Sequence, residues 1–192
     1  MKWMIASDLH GSAYYTKELL EAMEREAPDR LLLLGDLLYH GPRNDLPDGY
    51  APKEVIPLLN ARKNRLLCVR GNCDSEVDQM VLDFPIMSES CILWLGKRMV
   101  FATHGHHFHT AALPPLQPGD ILLHGHTHVP AWEPFPASPA DSTPDCVPKC
   151  LYLNPGSVSI PKENSPRGYM MLMDSAAIWK TLDGEAYHKI LL

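Results

Sequence analysis

The chain has 192 residues, of which 45% are apolar and 21% are charged, and its formal net charge is −6. This length is typical of one domain, and the composition excludes a disordered chain and argues against a protein that covers a nucleic-acid backbone. No apolar run is long enough for a secretory leader or a membrane span, and the five cysteines lack paired spacing, so we expect one cytoplasmic domain over residues 1–192 with reduced thiols.

The first half of the chain alternates apolar runs with helical patterns. The runs KWMIAS, RLLLLG and RLLCV each lead into a polar cluster, as buried parallel strands do where they end at a functional edge. Apolar residues at helical spacing predict a crossover helix over residues 14–27, between the first two strands. A second helix is expected over residues 52–63, kinked or shortened by Pro57.

The second half of the chain is predicted to be mostly strands. Strand-like runs begin at SESCILWL and continue through RMVFATH, DILLHG, CLYLN, GYMMLMD, AIWKTL and AYHKILL, and no long helix is expected after about residue 83. Residues 129–149 are rich in proline and aperiodic, which predicts a long surface loop. This element order is typical of an α/β fold with two stacked mixed β-sheets flanked by helices, a four-layer α/β/β/α sandwich.

Seven side chains with metal-binding chemistry follow the predicted strands. Open α/β sheets bind ligands beyond the carboxyl ends of their strands, so we expect these side chains to lie together. Asp-x-His and His-x-His spacing also directs alternate side chains to one side of an extended chain. The seven residues are Asp8, His10, Asp36, Asn72, His104, His126 and His128.

The chemistry of these side chains limits the ion. Carboxylate, amide oxygen and imidazole together suit Mn²⁺, Fe²⁺ or Zn²⁺, and seven ligands exceed what one tetrahedral ion requires. We therefore expect two divalent ions, with Mn²⁺ the first expectation and Zn²⁺, Fe²⁺, Co²⁺ or Ni²⁺ as alternatives. One Asp could bridge the two ions. A single histidine would more often be structural, so this prediction depends on the shared strand-end context.

Five ordered motifs give the sequence a resemblance to a known family. D-x-H, GD, GN, H and GHTH, in this order on these strand ends, resemble the calcineurin-like metallophosphoesterase superfamily across nearly the whole chain. The stretches GDLLYHGPRNDLPDGYAP, VRGNCDSEVDQM and LNPGSVSIPK resemble its small bacterial YfcE-type phosphodiesterases. The resemblance implies the four-layer fold and a dinuclear metal-dependent phosphoric diester hydrolase.

The resemblance also implies a role for each ligand. One ion would be held by Asp8, His10 and His128. The other would be held by Asn72, His104 and His126, and Asp36 would bridge the two. The candidate catalytic residues are Asp36, Asn72 and Cys73.

Three further residues are candidates for substrate binding. His40 and His106 could orient the substrate, and the guanidinium of Arg43 could clamp a phosphate oxygen. For Arg43 and Arg70, solvent exposure or structural pairing is an equally open alternative. NPGS at residues 154–157 is interpreted as a turn packed under the metal loops. The remaining histidines of this region, interpreted as structural or exposed, are His107, His109 and His124.

Cys73 departs from the superfamily pattern, which usually has His at this position, near the leaving group. A thiol is a weak donor with an ordinary pKa of about 8.5, so help to the leaving group should be poorer than from an imidazolium. This favours aryl diesters, whose leaving groups need little protonation. Cys73 could instead bind zinc as a thiolate or only fill space.

The leading hypothesis is a phosphodiesterase that hydrolyses a small diester by attack of a metal-bridging hydroxide on phosphorus. A non-catalytic protein-interaction scaffold on the same fold is one alternative, although it would not need a full ligand set. A nuclease is the other, and the acidic charge and the lack of a Lys/Arg stripe with interleaved aromatics weigh against it. A homo-oligomer stays open, and nucleic acid and membranes are not expected partners.

Overall fold

The computed structural model describes residues 1–136 and 149–192 of the chain. A turn of 3-10 helix, Lys63–Arg65, precedes the third strand. The helices and strands are, in chain order, β1 (Trp3–Ala6), α1 (Ala13–Glu26), β2 (Arg30–Leu33), α2 (Pro52–Asn60), β3 (Leu66–Cys68), α3 (Glu76–Gln79), β4 (Ser90–Leu95), β5 (Arg98–Thr103), β6 (Ile121–Leu123), β7 (Ala131–Pro136), β8 (Lys149–Asn154), β9 (Gly168–Met173), β10 (Ala176–Thr181) and β11 (Ala186–Leu191).

The strands form two mixed sheets. The first has the order β11-β10-β9-β1-β2-β3, in which β1, β2 and β3 are parallel and β9 runs antiparallel to β1. The second has the order β4-β5-β6-β8-β7, in which β5, β6 and β8 are parallel. Helices α1 and α2 connect the parallel strands of the first sheet, which are the predicted βαβ units.

The two faces of the first sheet are covered by different layers. On one face Met4 packs in a cluster with Met23 of α1, and on the other face Ile5 packs in a cluster with Leu123 of the second sheet. Adjacent residues of a strand point to opposite faces, so a strand buried on both faces is apolar throughout. This explains the uninterrupted run WMIA in β1 and confirms the predicted stacked sheets.

The outer face of the second sheet carries a smaller apolar cluster. Phe101 and Leu122 belong to it, and Phe108 and Leu113 pack against it from the segment between β5 and β6. Within the described residues this segment contains no helix. The fourth layer of the sandwich is therefore built here from irregular chain.

The helices follow the local signals of the sequence. Ser12 caps α1, since its hydroxyl accepts a hydrogen bond from the Tyr15 N–H at 3.2 Å. Helix α2 ends at Asn60, shortly after Pro57, in agreement with the predicted shortening. The brief helix α3, which the sequence analysis missed, begins at a capping box formed by Ser75. No helix in the described ranges is long and apolar enough to cross a membrane.

The prediction of a surface loop over residues 129–149 is wrong for Ala131–Pro136, which form β7. This strand pairs antiparallel with β8 at an edge of the second sheet. An edge strand has N–H groups that need no partner, so it tolerates Pro134 and Pro136, whose presence obscured the strand in the sequence. Residues 137–148 of the predicted loop lie outside the described residues.

Candidate metal centre

The seven candidate ligands all follow the carboxyl ends of parallel strands. Asp8 and His10 follow β1, Asp36 follows β2, and Asn72 follows β3 in the first sheet. His104 follows β5 in the second sheet. The last two, His126 and His128, follow β6. The stacked sheets thus bring ligands from both layers to one edge of the sandwich, as the strand pattern predicts.

The backbone at these strand ends adopts an uncommon conformation. In the part of the chain that the structure describes, eight non-glycine residues have positive φ, and five of them are candidate ligands. Such conformations cost about 1–3 kcal/mol each and persist only where surrounding contacts fix them. The chain therefore stores local strain at this edge. The five are Asp8, His10, Asp36, His126 and His128.

Asp8, His10 and His128 converge in a buried group. The Nε2 atoms of the two histidines are 3.2 Å apart. The nearer carboxylate oxygen, Oδ1 of Asp8, lies 3.6 Å from His10 Nε2 and 3.3 Å from His128 Nε2. Ligand atoms of one ion lie about 3 Å apart when each bond is about 2.1 Å, so these separations suit a common ion.

Hydrogen bonds on the far side of each imidazole fix which nitrogen is available. His10 Nδ1 donates to the Tyr39 carbonyl at 2.9 Å, and His128 Nδ1 donates to the Ile160 carbonyl at 2.6 Å. A neutral imidazole carries one N–H, so both Nε2 atoms present lone pairs. Two lone pairs and a carboxylate cannot satisfy one another, whereas a divalent cation satisfies all three. The donor set fits a metal ion.

Asn72, His104 and His126 form a second group of acceptors that face one another. His104 Nε2 lies 3.1 Å from Asn72 Oδ1 and 3.1 Å from His126 Nδ1. His104 Nδ1 donates to the Leu34 carbonyl at 2.6 Å, which again leaves the Nε2 lone pair facing the group. An amide oxygen and two imidazole nitrogens at these separations suit a second ion.

Asp36 lies between the two groups. Its Oδ2 is 3.7 Å from His10 Nε2 and 3.5 Å from His104 Nε2, so one carboxylate reaches a member of each group. Its Oδ1 accepts a hydrogen bond from the Cys73 N–H at 2.8 Å, which fixes the rotation of the carboxylate. This placement is what a bridging ligand requires.

The electrostatics of the centre favour positive charge. Burial disfavours the protonated form of His104, but Asp36 and Asp8 outweigh it and raise the pKa of this histidine to about 9. Burial likewise opposes protonation of His10, and Asp8 and Asp36 raise its pKa. Burial would also neutralise Asp8, but its contacts with His10 and His128 hold the pKa of the carboxyl well below its usual range. The two carboxylates therefore favour a cation that takes the place of these protons.

Asp74 supports the centre and was missed by the sequence analysis. Its buried carboxylate accepts hydrogen bonds from the backbone N–H groups of Asp36, Leu37 and Gly71 at 2.7–2.8 Å. It thereby ties the turn after β2 to the turn after β3. A Cβ atom on Gly71 would lie 2.1 Å from Asp36 Oδ1, so only glycine fits at this approach. The signal for Asp74 was its position directly after GNC.

The NPGS turn lies under the metal loops, in agreement with its sequence interpretation. The hydroxyls of Ser157 and Ser159 donate to the Asp8 carbonyl at 3.0 and 2.9 Å. The Asn154 amide donates to the Gly125 carbonyl at 3.0 Å. These bonds hold the loops after β1 and β6 in one arrangement.

A cleft of about 440 Å³ opens beside the centre, and we refer to it as the first cleft. Arg43, predicted to bind substrate, lines it together with Cys73 and the metal-centre residue Asp36. Lys162 and Asn44 also line this cleft and were not singled out from the sequence. Lys162 lies far along the chain from the other lining residues and belongs to no local motif, whereas Asn44 directly follows Arg43.

The other two predicted substrate-binding residues do not line the first cleft in the described structure. His40 packs edge-on against Tyr39 and Tyr50, with ring centroids 4.7 and 5.3 Å away. His106 lies beside His104, with ring centroids 5.4 Å apart, and lines a different cleft. Arg70, for which pairing was the alternative, forms an ion pair with Glu89 at 3.2 Å.

Cys73 is half-buried at the edge of the metal centre. Burial, followed by the neighbouring Asp36 carboxylate, raises the pKa of its thiol to about 12. Its Sγ accepts a hydrogen bond from the Asn72 amide at 3.1 Å and lies within 4.8 Å of ligand atoms of His10 and Asp36. The thiol is therefore placed where it could contact a substrate in the first cleft or an ion.

Comparison with known proteins agrees with this geometry. A family model described as the calcineurin-like phosphoesterase superfamily domain matches residues 1–176. Phosphodiesterase YfcE of Escherichia coli (strain K12) is 46% identical over 172 residues, which are 90% of this chain and 87% of that protein. A solved structure of Yfce, a phosphoesterase from E. coli, has a TM-score of 0.89 and 42% identity, covering 99% of this chain and 98% of that chain. A predicted phosphoesterase from Streptococcus pneumoniae TIGR4, with a TM-score of 0.59 and 22% identity over 100% of this chain and 97% of that chain, shares the fold.

Proposed function

The chain belongs to the calcineurin-like phosphoesterase superfamily, and we propose that it hydrolyses small phosphodiesters with two divalent metal ions, Mn²⁺ being the first candidate. The observation that carries this proposal is Asp36, whose carboxylate lies between two groups of acceptors, one buried and one partly exposed. The 46% identity with a phosphodiesterase over nine tenths of the chain supports the choice of diesters. The reaction adds water across one P–O ester bond and yields a monoester and an alcohol.

The ligand groups fit two ions of intermediate hardness. Asp8, His10 and His128 would hold one ion. Asn72, His104 and His126 would hold the other, with Asp36 shared. When bound, such ions polarise phosphoryl oxygens and lower the pKa of water between them to near neutrality.

The residues of the chain itself position the substrate and control protons. Arg43 and Lys162 bring positive charge to the first cleft, where an anionic phosphodiester would bind. The carbonyls of Tyr39, Ile160 and Leu34 accept hydrogen bonds from the Nδ1 atoms, so each imidazole already has the orientation that directs Nε2 toward an ion. The thiol of Cys73 lines the same cleft, and a thiol offers the leaving group only a weak donor.

The geometry of the site favours neither of the two alternative functions, a protein-interaction scaffold and a nuclease. A protein-interaction scaffold has no need for acceptors that face one another on strained backbone, and this chain keeps all seven candidate ligands at one edge, five of them with positive φ. A nuclease needs an extended basic track, whereas the first cleft contains Arg43 and Lys162 as its cationic side chains. The cytoplasmic location, the single domain and a homo-oligomer remain predictions from the sequence.

The test is hydrolysis by metal-stripped protein to which single metals are restored. We expect chelation to abolish hydrolysis of an aryl phosphodiester, and Mn²⁺ to restore it to protein that contains two ions per chain by elemental analysis. Co²⁺ or Ni²⁺ should also support activity, and Ca²⁺ should support little, because it prefers all-oxygen ligands. A phosphomonoester panel is the control. Full activity with one ion per chain, or hydrolysis of monoesters alone, would contradict the proposal.

A further inference from the structure

A second cleft adjoins the first cleft at His126. Its volume is about 370 Å³, against about 440 Å³ for the first. His126 and Thr127 line both clefts, so the two meet at the metal centre and share one wall. A substituent of a ligand bound beside His126 can therefore extend into the second cleft.

The two clefts differ in charge. The first carries Arg43 and Lys162, whereas none of the residues that line the second in the described structure is Lys, Arg, Asp or Glu. The second cleft is instead lined by histidines, Thr110 and Tyr152. It is built to receive an uncharged group and not a second phosphate.

The lining of the second cleft is flat and aromatic. The rings of His124 and Tyr152 stack on each other, with centroids 4.4 Å apart and an angle of 26° between their planes. His106 and His109 add two further half-buried rings. Aromatic surfaces of this kind favour another aromatic ring in stacked or edge-to-face contact.

Two polar groups stand among these rings. His109 Nδ1 accepts a hydrogen bond from the Ala111 N–H at 3.2 Å, so a neutral His109 carries its proton on Nε2 and can donate it. The neighbouring Thr110 is exposed and provides a hydroxyl. A ring that bears a hydrogen-bond acceptor would satisfy these donors.

The position of Cys73 indicates which substituent of the diester would bind in each cleft. Cys73 lines the first cleft, where its thiol, although a weak donor, is placed to meet a departing oxygen. The leaving group of a diester then lies in the first cleft, and the substituent that stays on phosphorus extends toward the second.

Building on the proposed function, we propose that the second cleft is a binding subsite for the retained substituent of the diester, and that it takes a flat aromatic or heteroaromatic group. A phosphomonoester lacks this substituent and leaves the subsite empty. The subsite therefore gives diesters binding contacts that monoesters cannot make. It also makes the retained group, and not only the leaving group, a determinant of specificity.

The experiment compares two diesters that release the same leaving group. Bis(para-nitrophenyl) phosphate retains an aryl group, whereas methyl para-nitrophenyl phosphate retains a methyl group. Thr110→Trp should fill the second cleft and lower kcat/KM for the first substrate about 10- to 100-fold, because an aryl group loses its pocket. The value for the methyl substrate should change less than about threefold, because methyl needs little room.

The matched control is Ala111→Trp, an equally exposed position of the same turn that does not line the cleft. We expect it to leave the ratio of the two kcat/KM values unchanged. His109→Ala, which removes one ring without adding bulk, should lower the same ratio and tests the subsite if Thr110→Trp fails to fold. Metal content and Tm are measured for every variant.

Failure of this inference differs from failure of the proposed function. If the metal-loaded wild type hydrolyses neither diester, the proposed function is wrong. If it hydrolyses both, and the ratio is the same in wild type, Thr110→Trp and His109→Ala, the second cleft does not hold the retained group. An equal loss on both substrates in Thr110→Trp would also overturn the subsite, because it would show a general effect on the metal centre.

Discussion

Two polar clusters of this molecule, one partly buried around Glu26 and one at the metal centre, accommodate charge in opposite ways. At the end of α1, the Glu26 carboxylate accepts a hydrogen bond from the Tyr169 hydroxyl at 3.0 Å. It is also paired with Lys180, and Lys2 lies 3.7 Å away. At the metal centre, by contrast, imidazole lone pairs and carboxylates face one another.

The difference is whether the chain supplies its own counter-charge. Burial opposes ionisation of Glu26, but Lys180, Tyr169 and Lys2 outweigh it and lower its pKa, so the Glu26 cluster is complete as folded. The metal centre brings together more acceptors than donors, and its field raises the pKa of His104 to about 9. We call the Glu26 cluster closed, because its charges are paired within the chain, and the metal centre open, because its acceptors outnumber its donors. A closed cluster supports the fold, whereas an open cluster is suited to binding a cation.

The largest effect on kcat should come from changing Asp36, whose carboxylate lies between the two ligand groups of the metal centre. Asp36→Asn keeps the shape of the side chain but removes a charge that both ions would share, and we expect kcat to fall about 10³- to 10⁴-fold. His128→Ala removes a ligand from one ion and should cost less. Steady-state kinetics at saturating Mn²⁺ would make the comparison. Equal and mild losses in the two variants would show that Asp36 does not bridge.

The second largest effect is expected for Cys73→His, on kcat/KM for a diester whose leaving group must take up a proton. Cys73→His would place an imidazole in the first cleft, where it could protonate a departing alkoxide. General-acid help is worth about 10² to 10⁴ in rate, so hydrolysis of an alkyl diester should recover part of that factor while an aryl diester changes little. The measurement is the ratio of kcat/KM for the two substrates.

Cys73→Ser is the matched control for this substitution, because it keeps the size of the side chain. If Cys73 only fills space, serine preserves both activity and metal content. If the thiolate is a ligand, serine lowers zinc affinity. A correctly metallated Cys73→His protein with an unchanged alkyl-to-aryl ratio would show that this position does not set leaving-group preference.

The open cluster could be predicted from the sequence and the closed one could not. The candidate ligands lie within a few residues of strand ends, so local spacing and strand order predicted their meeting. Glu26 and Lys180 are separated by 154 residues and carry no motif, so only the folded chain brings them together. The same reason explains why Lys162 was missed. His40 packs against Tyr39 and Tyr50, and its role in substrate binding stays a prediction.

The third effect is the rise in Tm that bound metal produces, which should depend on the metal centre and not on the Glu26 cluster. Ions that bind the native state stabilise it by about 2.7 kcal/mol at a free concentration 100 times Kd. Chelation should therefore lower the Tm of the wild type, and it should do so equally in Glu26→Gln, whose substitution lies outside the metal centre. Asp36→Asn should show a smaller chelator-induced shift. Calorimetry with and without chelator provides these values, and an undiminished shift in Asp36→Asn would count against its role as a ligand.

The smallest effect should be the stability that the closed cluster contributes. Glu26→Gln keeps the shape of the side chain but removes the charge that Lys180 and Lys2 face, and we expect the free energy of unfolding at pH 7 to fall by about 1–3 kcal/mol. The pKa of Glu26 is lowered in the folded protein, so this contribution is fully present above the unfolded pKa of about 4.3 and is lost as the pH falls through the lowered folded value. Urea unfolding of wild type and Glu26→Gln from pH 7 downward, with chelator present throughout to keep the metal centre in one state, should show two curves that begin to converge near the unfolded pKa and meet below the lowered folded value. A constant gap between them at all pH values would mean that the cluster stabilises by packing and not by charge.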